Sequence, residues 1–110
     1  MARLPTHLEI SGWIRAIEAK GGFATVIYSG ERDSGVVLIL TTSRGKNTAL
    51  WERMPQLDGS RTFIVIKEQD SDSPEEFTEY LERRKRQDPD LWVLEIDAAD
   101  AAQLVETVVN

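Results

Sequence analysis

The sequence predicts an α+β fold in which three helices pack on a mainly antiparallel sheet, made of a four-stranded meander plus a fifth strand. Apolar residues recur at helical spacing in three segments, whereas β-branched and aromatic residues dominate residues 23–67. The turns within that stretch are too short for a helical crossover, so its neighbouring strands are predicted to pair antiparallel. The predicted order is α-β-β-β-β-α-β-α, in a single domain spanning residues 1–110.

The first helix is predicted from Thr6 to a glycine pair at residues 21–22. Thr6 and Glu9 have the spacing of a capping box, in which both side chains bind amides of the first turn. An apolar stripe follows at i, i+3, i+4 and i+7: Ile10, Trp13, Ile14 and Ile17. Because Gly12 disfavours a helix by about 1 kcal/mol relative to alanine, residues 8–10 are left open between helix and edge strand.

Four β-rich runs follow, at residues 23–28, 35–42, 48–54 and 61–67. Residues 36–40 are apolar at every position, which indicates a strand that is covered on both faces and is therefore central in the sheet. Clusters of glycine, serine, asparagine and aspartate separate the runs and are typical of tight turns.

The remaining elements are a helix, a strand and a last helix. Residues 73–76 (Ser-Pro-Glu-Glu) give an N-cap, a first-turn proline and two first-turn acids, and Pro89 requires this helix to end by Asp88. Residues 91–96 are predicted to be the fifth strand, and Asp97 is predicted to cap the last helix. The apolar stripe of that helix is Ala101, Leu104, Val105 and Val108.

Composition limits the classes of function. The chain has no cysteine, which excludes disulfides, thiolate nucleophiles and cysteine-ligated metal centres. No apolar run approaches the roughly 20 residues that span a bilayer, and no signal-peptide apolar region follows the N-terminus, so we expect a cytoplasmic location and no membrane interaction. The net charge of −6 disfavours non-specific nucleic-acid binding, which depends on basic surface.

The sequence contains no recognisable catalytic motif. His7 is the single histidine, and with Ser11 it lacks the acid and the nucleophile elbow of a catalytic triad. The glycines at 21–22 and in the loop 30–35 match no nucleotide-binding pattern. We therefore predict no cofactor and favour a domain that is not an enzyme.

The basic run Arg83, Arg84, Lys85 and Arg86 is the first candidate binding surface. Four adjacent cations can contact an acidic protein partner or the phosphates of a nucleic acid. The alternative is purely local, because cations favour the C-terminal end of a helix and Glu79 and Glu82 lie four residues before Arg83 and Arg86.

Trp51 is the second candidate. It alternates with Ala49 and Arg53, while Leu50 and Met54 take the other face of the strand. Trp13 and Trp92 lie among core positions, so Trp51 is predicted to be the tryptophan at a surface or interface.

Asp90, Glu95 and Asp97 offer an alternative site. In restriction-type nucleases an aspartate and a strand glutamate hold Mg²⁺ beside a lysine. The match is poor, because only four residues separate Asp90 from Glu95 and Asp97 takes the place of the lysine. The structural interpretation is that Asp90 begins a turn and Asp97 caps a helix.

Three segments resemble a known family: residues 3–8 (RLPTHL), 21–24 (GGFA) and 83–92 (RRKRQDPDLW) are similar to the small bacterial domain-of-unknown-function family 1491. The resemblance covers almost the whole chain and implies a compact bacterial protein. It supplies no catalytic or binding residues. Gln87 stands where members often carry an aromatic residue.

The leading hypothesis is a non-enzymatic protein-binding or adaptor domain that uses a sheet edge or the basic end of the second helix. The alternative is a nucleic-acid-associated protein with metal-dependent phosphodiesterase activity, built on the basic run and the three carboxylates. A homo-oligomer is left open, because an open sheet has edges that either a second copy or charged, short strands can protect.

Overall fold

The computed structural model describes residues 4–69 and 75–110, and it confirms the α+β class and the order of the elements. The helices are α1 (Thr6–Ala19), α2 (Glu75–Gln87) and α3 (Ala101–Leu104), which continues into a π-helical turn, Val105–Val109. The strands are β1 (Phe23–Tyr28), β2 (Val37–Ser43), β3 (Lys46–Pro55), β4 (Arg61–Glu68) and β5 (Trp92–Asp97). The predicted N-cap of α2 at Ser73 lies outside the described residues.

The five strands form one sheet in the order β1-β5-β2-β3-β4. The predicted meander is therefore correct only for β2, β3 and β4, and the predicted pairing of β1 with β2 is wrong. β5 lies between them, antiparallel to β1 and parallel to β2. The physical reason is burial: β2 and the first half of β5 carry buried apolar residues on both faces, which is typical of strands in the middle of a covered sheet. β1 alternates between exposed and half-buried residues and suits an edge.

The sheet is the middle of three layers. The α1 face is covered by α1 and α3, and side chains such as Val37, Ile39 and Leu94 pack there. The α2 face is covered by α2, and Leu38, Leu40 and Val93 pack there against Phe77 and Leu81. Because β2 sends alternate side chains into both cores, it is the central strand that its unbroken apolar run predicts.

Helix α1 begins differently from its prediction. The N-cap is Pro5, and no side chain caps the helix, so the predicted capping box is wrong. The backbone amides of Thr6 and His7 donate instead to the carbonyls of Asp33 and Arg32, at 3.2 and 2.9 Å. The distant loop thus satisfies the Thr6 amide, which the motif was expected to pair with Glu9, while the Glu9 amide donates to the Pro5 carbonyl at 3.1 Å. Residues 8–10 are helical.

The same loop also holds the start of β5. The indole Nε1 of Trp92 donates to the carbonyl of Glu31 at 2.6 Å, and the amide of Glu31 donates to the carbonyl of Asp90 at 3.1 Å. A Cβ at Gly30 would lie 2.0 Å from that Asp90 oxygen, so this close approach requires glycine. The loop 30–35 therefore joins the start of α1 to the turn before β5.

The last helix also differs from its prediction, because Asp97 does not cap it. The N-cap is Asp100, without a side-chain hydrogen bond. The Asp97 carboxylate instead accepts the amide of Arg44 at 3.0 Å. Arg44 and Gly45 have φ values of 53° and 80° and form the tight turn of the β2–β3 hairpin. Asp97 thus stabilises a turn that places a non-glycine residue in the left-handed region.

Candidate functional site

The basic run at the end of α2 is divided between intramolecular contacts and solvent. Arg84 donates to Glu52 Oε1 at 2.8 Å and to the Tyr80 hydroxyl at 3.0 Å. The hydrogen bond to Glu52 raises the pKa of Arg84 above its ordinary value. Arg84 is therefore a structural cation that fixes α2 to β3.

The other three cations are arranged around it. Lys85 donates to the carbonyl of Pro89 at 2.9 Å and lies over the ring of Tyr28, whereas Arg83 lies over the ring of Tyr80. Arg86 is exposed. In the described part of the chain the ion pairs are Arg53–Glu9, Lys67–Glu76 and Arg84–Glu52, so the predicted pairs Glu79–Arg83 and Glu82–Arg86 are not formed. The run does not present four cations as one surface.

Trp51 is buried, so the prediction that it lies at a surface is wrong. Its side chain is 5% exposed, and the indole Nε1 donates to the Thr41 hydroxyl at 2.9 Å. Alternation along β3 correctly separates its two faces, but it does not show that the α1 face is covered at Trp51. Trp13 is the half-buried tryptophan, packed edge-to-face on Phe63 with the Arg53 guanidinium over both rings.

The three carboxylates of the alternative site are not brought together. Glu95 and Asp97 share one face of β5, but Asp90 precedes the strand and lies five residues from Glu95. At about 3.3 Å per residue, Glu95 lies roughly 10 Å beyond the start of β5 at Trp92, and Asp90 precedes that start. Across residues 4–69 and 75–110, no three side chains of histidine, cysteine, aspartate or glutamate are placed to hold a metal ion.

Helix α2 crosses its face of the sheet diagonally. Near its start, Phe77 lies under the Lys67 ammonium of β4, and near its end Lys85 reaches Tyr28 at the end of β1. The start of β1 lies away from this path. We call the group of residues there the β1 corner: Phe23, Thr25, Ile27, Glu95 and Asp97.

The β1 corner combines exposed apolar side chains with carboxylates. Ala24 and Val26 pack toward the α1 face, so Phe23 and Thr25 point to the α2 face. Phe23 is 72% exposed and Ile27 is 42% exposed. In the register between β1 and β5, Phe23 lies opposite Asp97 and Thr25 lies opposite Glu95.

The backbone of β1 contributes an edge to the same place. Among the described residues, no strand pairs with the outer side of β1. The register with β5 is regular over residues 23–26 and is interrupted by a bulge between Val26 and Tyr28. Because a bulge disrupts the ladder, the usable part, which we call the open edge, is residues 23–26.

The carboxylates of the corner differ in their surroundings. Asp97 accepts the Arg44 amide. Partial burial raises the pKa of Glu95, and the negative charge of Asp97 raises it further. The fold therefore disfavours the ionised form of Glu95, and a cation close to the carboxylate would stabilise that form.

At the opposite edge of the sheet, a side chain pairs with the β4 backbone at one residue, Phe63. The amide of Phe63 on β4 donates to Asn110 Oδ1 at 2.8 Å, and Asn110 Nδ2 donates to the carbonyl of Phe63 at 3.0 Å. The asparagine side chain thus makes the two hydrogen bonds that a neighbouring strand would make. We call this pair of bonds the Asn110 cap.

A cleft of about 420 Å³ lies on the α1 face, between α3 and the β3–β4 ribbon. Its floor includes Trp51 and Val65, its rim carries Thr48 and Gln69, and alanines of the α3 region line the far side. In size it is comparable to small-molecule sites. Glu68 is its one charged lining residue, so the cleft offers no ionic group for an acidic ligand.

The structure defines a three-layer α+β domain whose mixed sheet has one open and one capped edge. The family described as "Protein of unknown function (DUF1491)" matches residues 4–106, and the chain belongs to this family. This confirms the resemblance seen in the sequence. No curated protein matches the chain.

Three solved structures have the same fold, and two of them are described as DUF1491 family proteins. The crystal structure of a DUF1491 family protein from Caulobacter crescentus CB15 has a TM-score of 0.80 and 31% identity, covering 93% of this chain and 94% of that one. An NMR structure from the same organism has a TM-score of 0.77 and 30% identity, covering 94% of each chain. A solution structure of a protein from A. tumefaciens has a TM-score of 0.74 and 30% identity, covering 94% and 92%.

Reasoning from sequence alone missed the β1 corner and the Asn110 cap. Phe23 and Ile27 were placed in a strand, but their exposure depends on which strands flank β1 and on where α2 crosses the sheet. β1 is apolar at every position except Thr25, so its own sequence carries no signal that it is an edge strand. We found no local signal for Asn110, because its partner Phe63 is 47 residues away.

Within the described residues, no helix combines the length and the apolar character needed to cross a membrane.

Proposed function

We propose that this chain is a non-enzymatic protein-binding domain that docks its partner on the β1 corner, and that it acts in the cytoplasm. One observation carries the proposal: Phe23, on an edge strand and away from α2, is 72% exposed. Phenylalanine is usually buried. An exposed aromatic residue beside an accessible backbone edge is typical of a surface that recognises another chain.

The position of the basic run favours the sheet edge over the end of α2 as the docking site. Arg84 and Lys85 make hydrogen bonds within the domain, so a partner that used them would have to replace Glu52 and the Pro89 carbonyl. The open edge requires no such exchange, because its outer side meets no strand in the described residues.

The same observations bear on the alternative function. A phosphodiesterase or nucleic-acid-binding role needs a continuous basic surface and, for catalysis, converging carboxylates. Arg84 is paired with Glu52, and Asp90 lies at the opposite end of β5 from Asp97. These positions favour a protein partner.

The proposal is tested by affinity purification of the tagged protein from cells that naturally express it, after nuclease treatment. Wild type is compared with Phe23→Lys and with Leu57→Lys, a control at a fully exposed leucine in the β3–β4 turn. We expect a stoichiometric protein partner with wild type and with Leu57→Lys, and its loss with Phe23→Lys.

Two results would contradict the proposal. A partner that persists with Phe23→Lys and is lost with Arg83→Glu and Arg86→Glu would move the docking site to α2. Recovery of no protein, together with enrichment of nucleic acid in an untreated sample, would favour the nucleic-acid function.

A further inference from the structure

We propose that the open edge binds a short, extended, basic segment of a partner protein, which adds to β1 as a sixth strand and places an arginine or lysine against Glu95. This inference rests on the proposed protein-binding function and adds the chemistry of the partner. It is carried by the register of β1 and β5, the size of Thr25 and the charges behind the edge.

The length of the segment follows from the bulge. Residues 23–26 pair regularly with Asp97, Ile96, Glu95 and Leu94, and the ladder is then interrupted before Tyr28. A sixth strand can continue the sheet only where β1 is regular. The segment therefore pairs over about four residues, and its affinity depends strongly on side chains.

The position of the cation follows from Thr25. Glu95 lies directly behind Thr25 on the α2 face, one strand further from the edge. Strands are spaced by about 4.8 Å, so a sixth strand would lie roughly 9.6 Å from β5. Threonine is short, so a long side chain can pass over it to the carboxylate, and an extended arginine or lysine covers this distance.

The neighbouring positions select the rest of the segment. Phe23 lies next to Thr25 along this face of β1 and is exposed, so it favours an apolar side chain or the face of a guanidinium. Asp97 lies opposite Phe23, where Lys20 and Arg44 line the same hollow, so Glu95 is the carboxylate that attracts a cation most strongly. Because alternate residues of a strand share a face, arginines two residues apart would lie over Phe23 and Thr25, with apolar residues between them on the α1 face. An acidic residue over Thr25 is repelled by the Glu95 carboxylate.

The raised pKa of Glu95 supports the same chemistry. In the domain alone, the ionised carboxylate is partly desolvated and lies beside the Asp97 carboxylate. A cation at Glu95 offsets both effects, so binding relieves an unfavourable interaction that the fold already contains.

A basic partner fits the edge better than a second copy does. Two copies paired through β1 would bring two Glu95 and two Asp97 carboxylates onto one continuous sheet, and each copy carries a net charge of −6. Like charges opposed across an interface weaken association. Charge complementarity therefore selects a cationic segment from another protein.

The experiment uses the full chain and two synthetic peptides, acetyl-Val-Arg-Val-Arg-Val-amide and the same peptide with glutamate in place of arginine. Each is titrated into ¹⁵N-labelled protein, and backbone amide shifts are followed by NMR. We expect the arginine peptide to shift the amides of residues 23–26 and Glu95 saturably. The glutamate peptide should leave them unchanged.

Two variants locate the interaction. Glu95→Gln should weaken binding of the arginine peptide roughly two- to five-fold, as expected for an ion pair near the surface. Glu79→Gln, a matched change at an exposed carboxylate of α2, should leave binding unchanged. Phe23→Lys should abolish the shifts. Because Phe23 and Glu79 are exposed and glutamine has nearly the same shape as the half-buried Glu95, circular dichroism should show all three variants folded.

The outcomes separate this inference from the proposed function. Equal effects of both peptides, shifts confined to other acidic surfaces, or no effect of Glu95→Gln would overturn the basic-segment inference. If a co-purified partner still depends on Phe23 in that case, protein binding at the corner survives. If neither peptide nor partner depends on Phe23, both proposals fail.

A concentration-dependent dimer in sedimentation that Phe23→Lys dissociates would identify a second copy as the occupant of the open edge, and would also overturn the basic-segment inference.

Discussion

The two edge strands of the sheet, β4 and β1, limit unwanted pairing with other strands in different ways. At β4, the side chain of Asn110 binds both the amide and the carbonyl of Phe63, and the Phe63 ring is buried against Trp13. At β1, a bulge shortens the edge, and the Phe23 ring is exposed. Exposed edges are a risk for unwanted pairing. The β4 edge is therefore protected by the chain itself at Phe63, while the β1 edge remains available over about four residues.

This difference shows that two residues of the same type, Phe63 and Phe23, have different roles because they lie at different positions in the fold. Phe63 and Phe23 both lie on edge strands, but α1 covers Phe63 through Trp13, whereas the diagonal path of α2 leaves Phe23 uncovered. The first residue therefore contributes mainly to stability, and we propose that the second contributes mainly to binding.

The largest expected effect is on stability and compares the two phenylalanines directly. Phe63→Ala should lower the free energy of unfolding by about 3–5 kcal/mol, because it removes a buried ring and leaves a cavity beside Trp13. Phe23→Ala should change it by no more than about 0.5 kcal/mol, as is usual for surface positions. Urea unfolding followed by tryptophan fluorescence measures both values.

A large loss of stability in Phe23→Ala would contradict the distinction between a buried Phe63 and an exposed Phe23. It would mean that Phe23 is covered in solution, either by residues outside the described part of the chain or by a second copy. Repeating the measurement at several protein concentrations distinguishes these cases, because only a dimer makes stability depend on concentration.

The next effect concerns the Asn110 cap. Asn110→Ala removes two hydrogen bonds to the β4 backbone, and at about 0.5–1.5 kcal/mol for each bond the free energy of unfolding should fall by about 1–3 kcal/mol. Hydrogen exchange at the Phe63 amide should become faster, while exchange in the central strand β2 should change only as global stability changes.

Asn110→Asp is the control for this prediction. A carboxylate still accepts the Phe63 amide but cannot donate to the Phe63 carbonyl, and it repels that oxygen. Protection of the Phe63 amide should therefore be partly retained, with stability still reduced. Unchanged exchange at Phe63 in Asn110→Ala would show that the cap does not protect this edge.

Most helices and strands could be predicted from the sequence, because they form from local patterns of residues. The β-rich run at 23–28 and the apolar residues at 36–40 and 91–94 placed three strands, and Pro89 and the glycines at 21–22 ended two helices where expected. Strand order was missed, although the signal existed: β5 is as apolar as β2 and needed a central place. The order of strands follows from comparing them with each other, not from reading each one alone.

The predicted helix caps were wrong because the groups expected to form them make hydrogen bonds with residues distant in the sequence. Thr6 and Glu9 have the spacing of a capping box, but Asp33 and Arg32 supply the carbonyls, and Glu9 forms a two-pronged ion pair with Arg53. Asp97 likewise binds the Arg44 amide instead of capping a helix. Each of these partners is more than 20 residues away, so no local pattern could reveal it.

The candidate site was less predictable than the fold for the same reason. The basic run and Trp51 were chosen by residue type, but Arg84 pairs with β3 and Trp51 is buried. The β1 corner consists of ordinary residues that acquire their role from position alone. Its definition required the strand order and the path of α2.

The smallest expected effect tests the electrostatics of the β1 corner. The pKa of Glu95 is raised above its ordinary value of 4.5 by burial and by Asp97. A carboxyl with a higher pKa in the folded state binds protons more tightly there, so ionising it costs stability as the pH rises from its unfolded pKa through its folded pKa. The cost is absent at lower pH and complete at neutral pH.

Glu95→Gln should therefore be more stable than wild type at pH 7, by up to about 0.5 kcal/mol, the usual limit for a substitution near the surface. This difference should disappear below about pH 4, where the carboxyl is protonated in both states. Urea unfolding between pH 3 and pH 7 measures it, with Glu106→Gln, at an exposed glutamate of the π-helical turn, as the control. If Glu95→Gln instead lost stability at pH 7, the carboxylate would be stabilising the fold, and Glu95 would be a structural residue with no unfavourable charge for a partner to relieve.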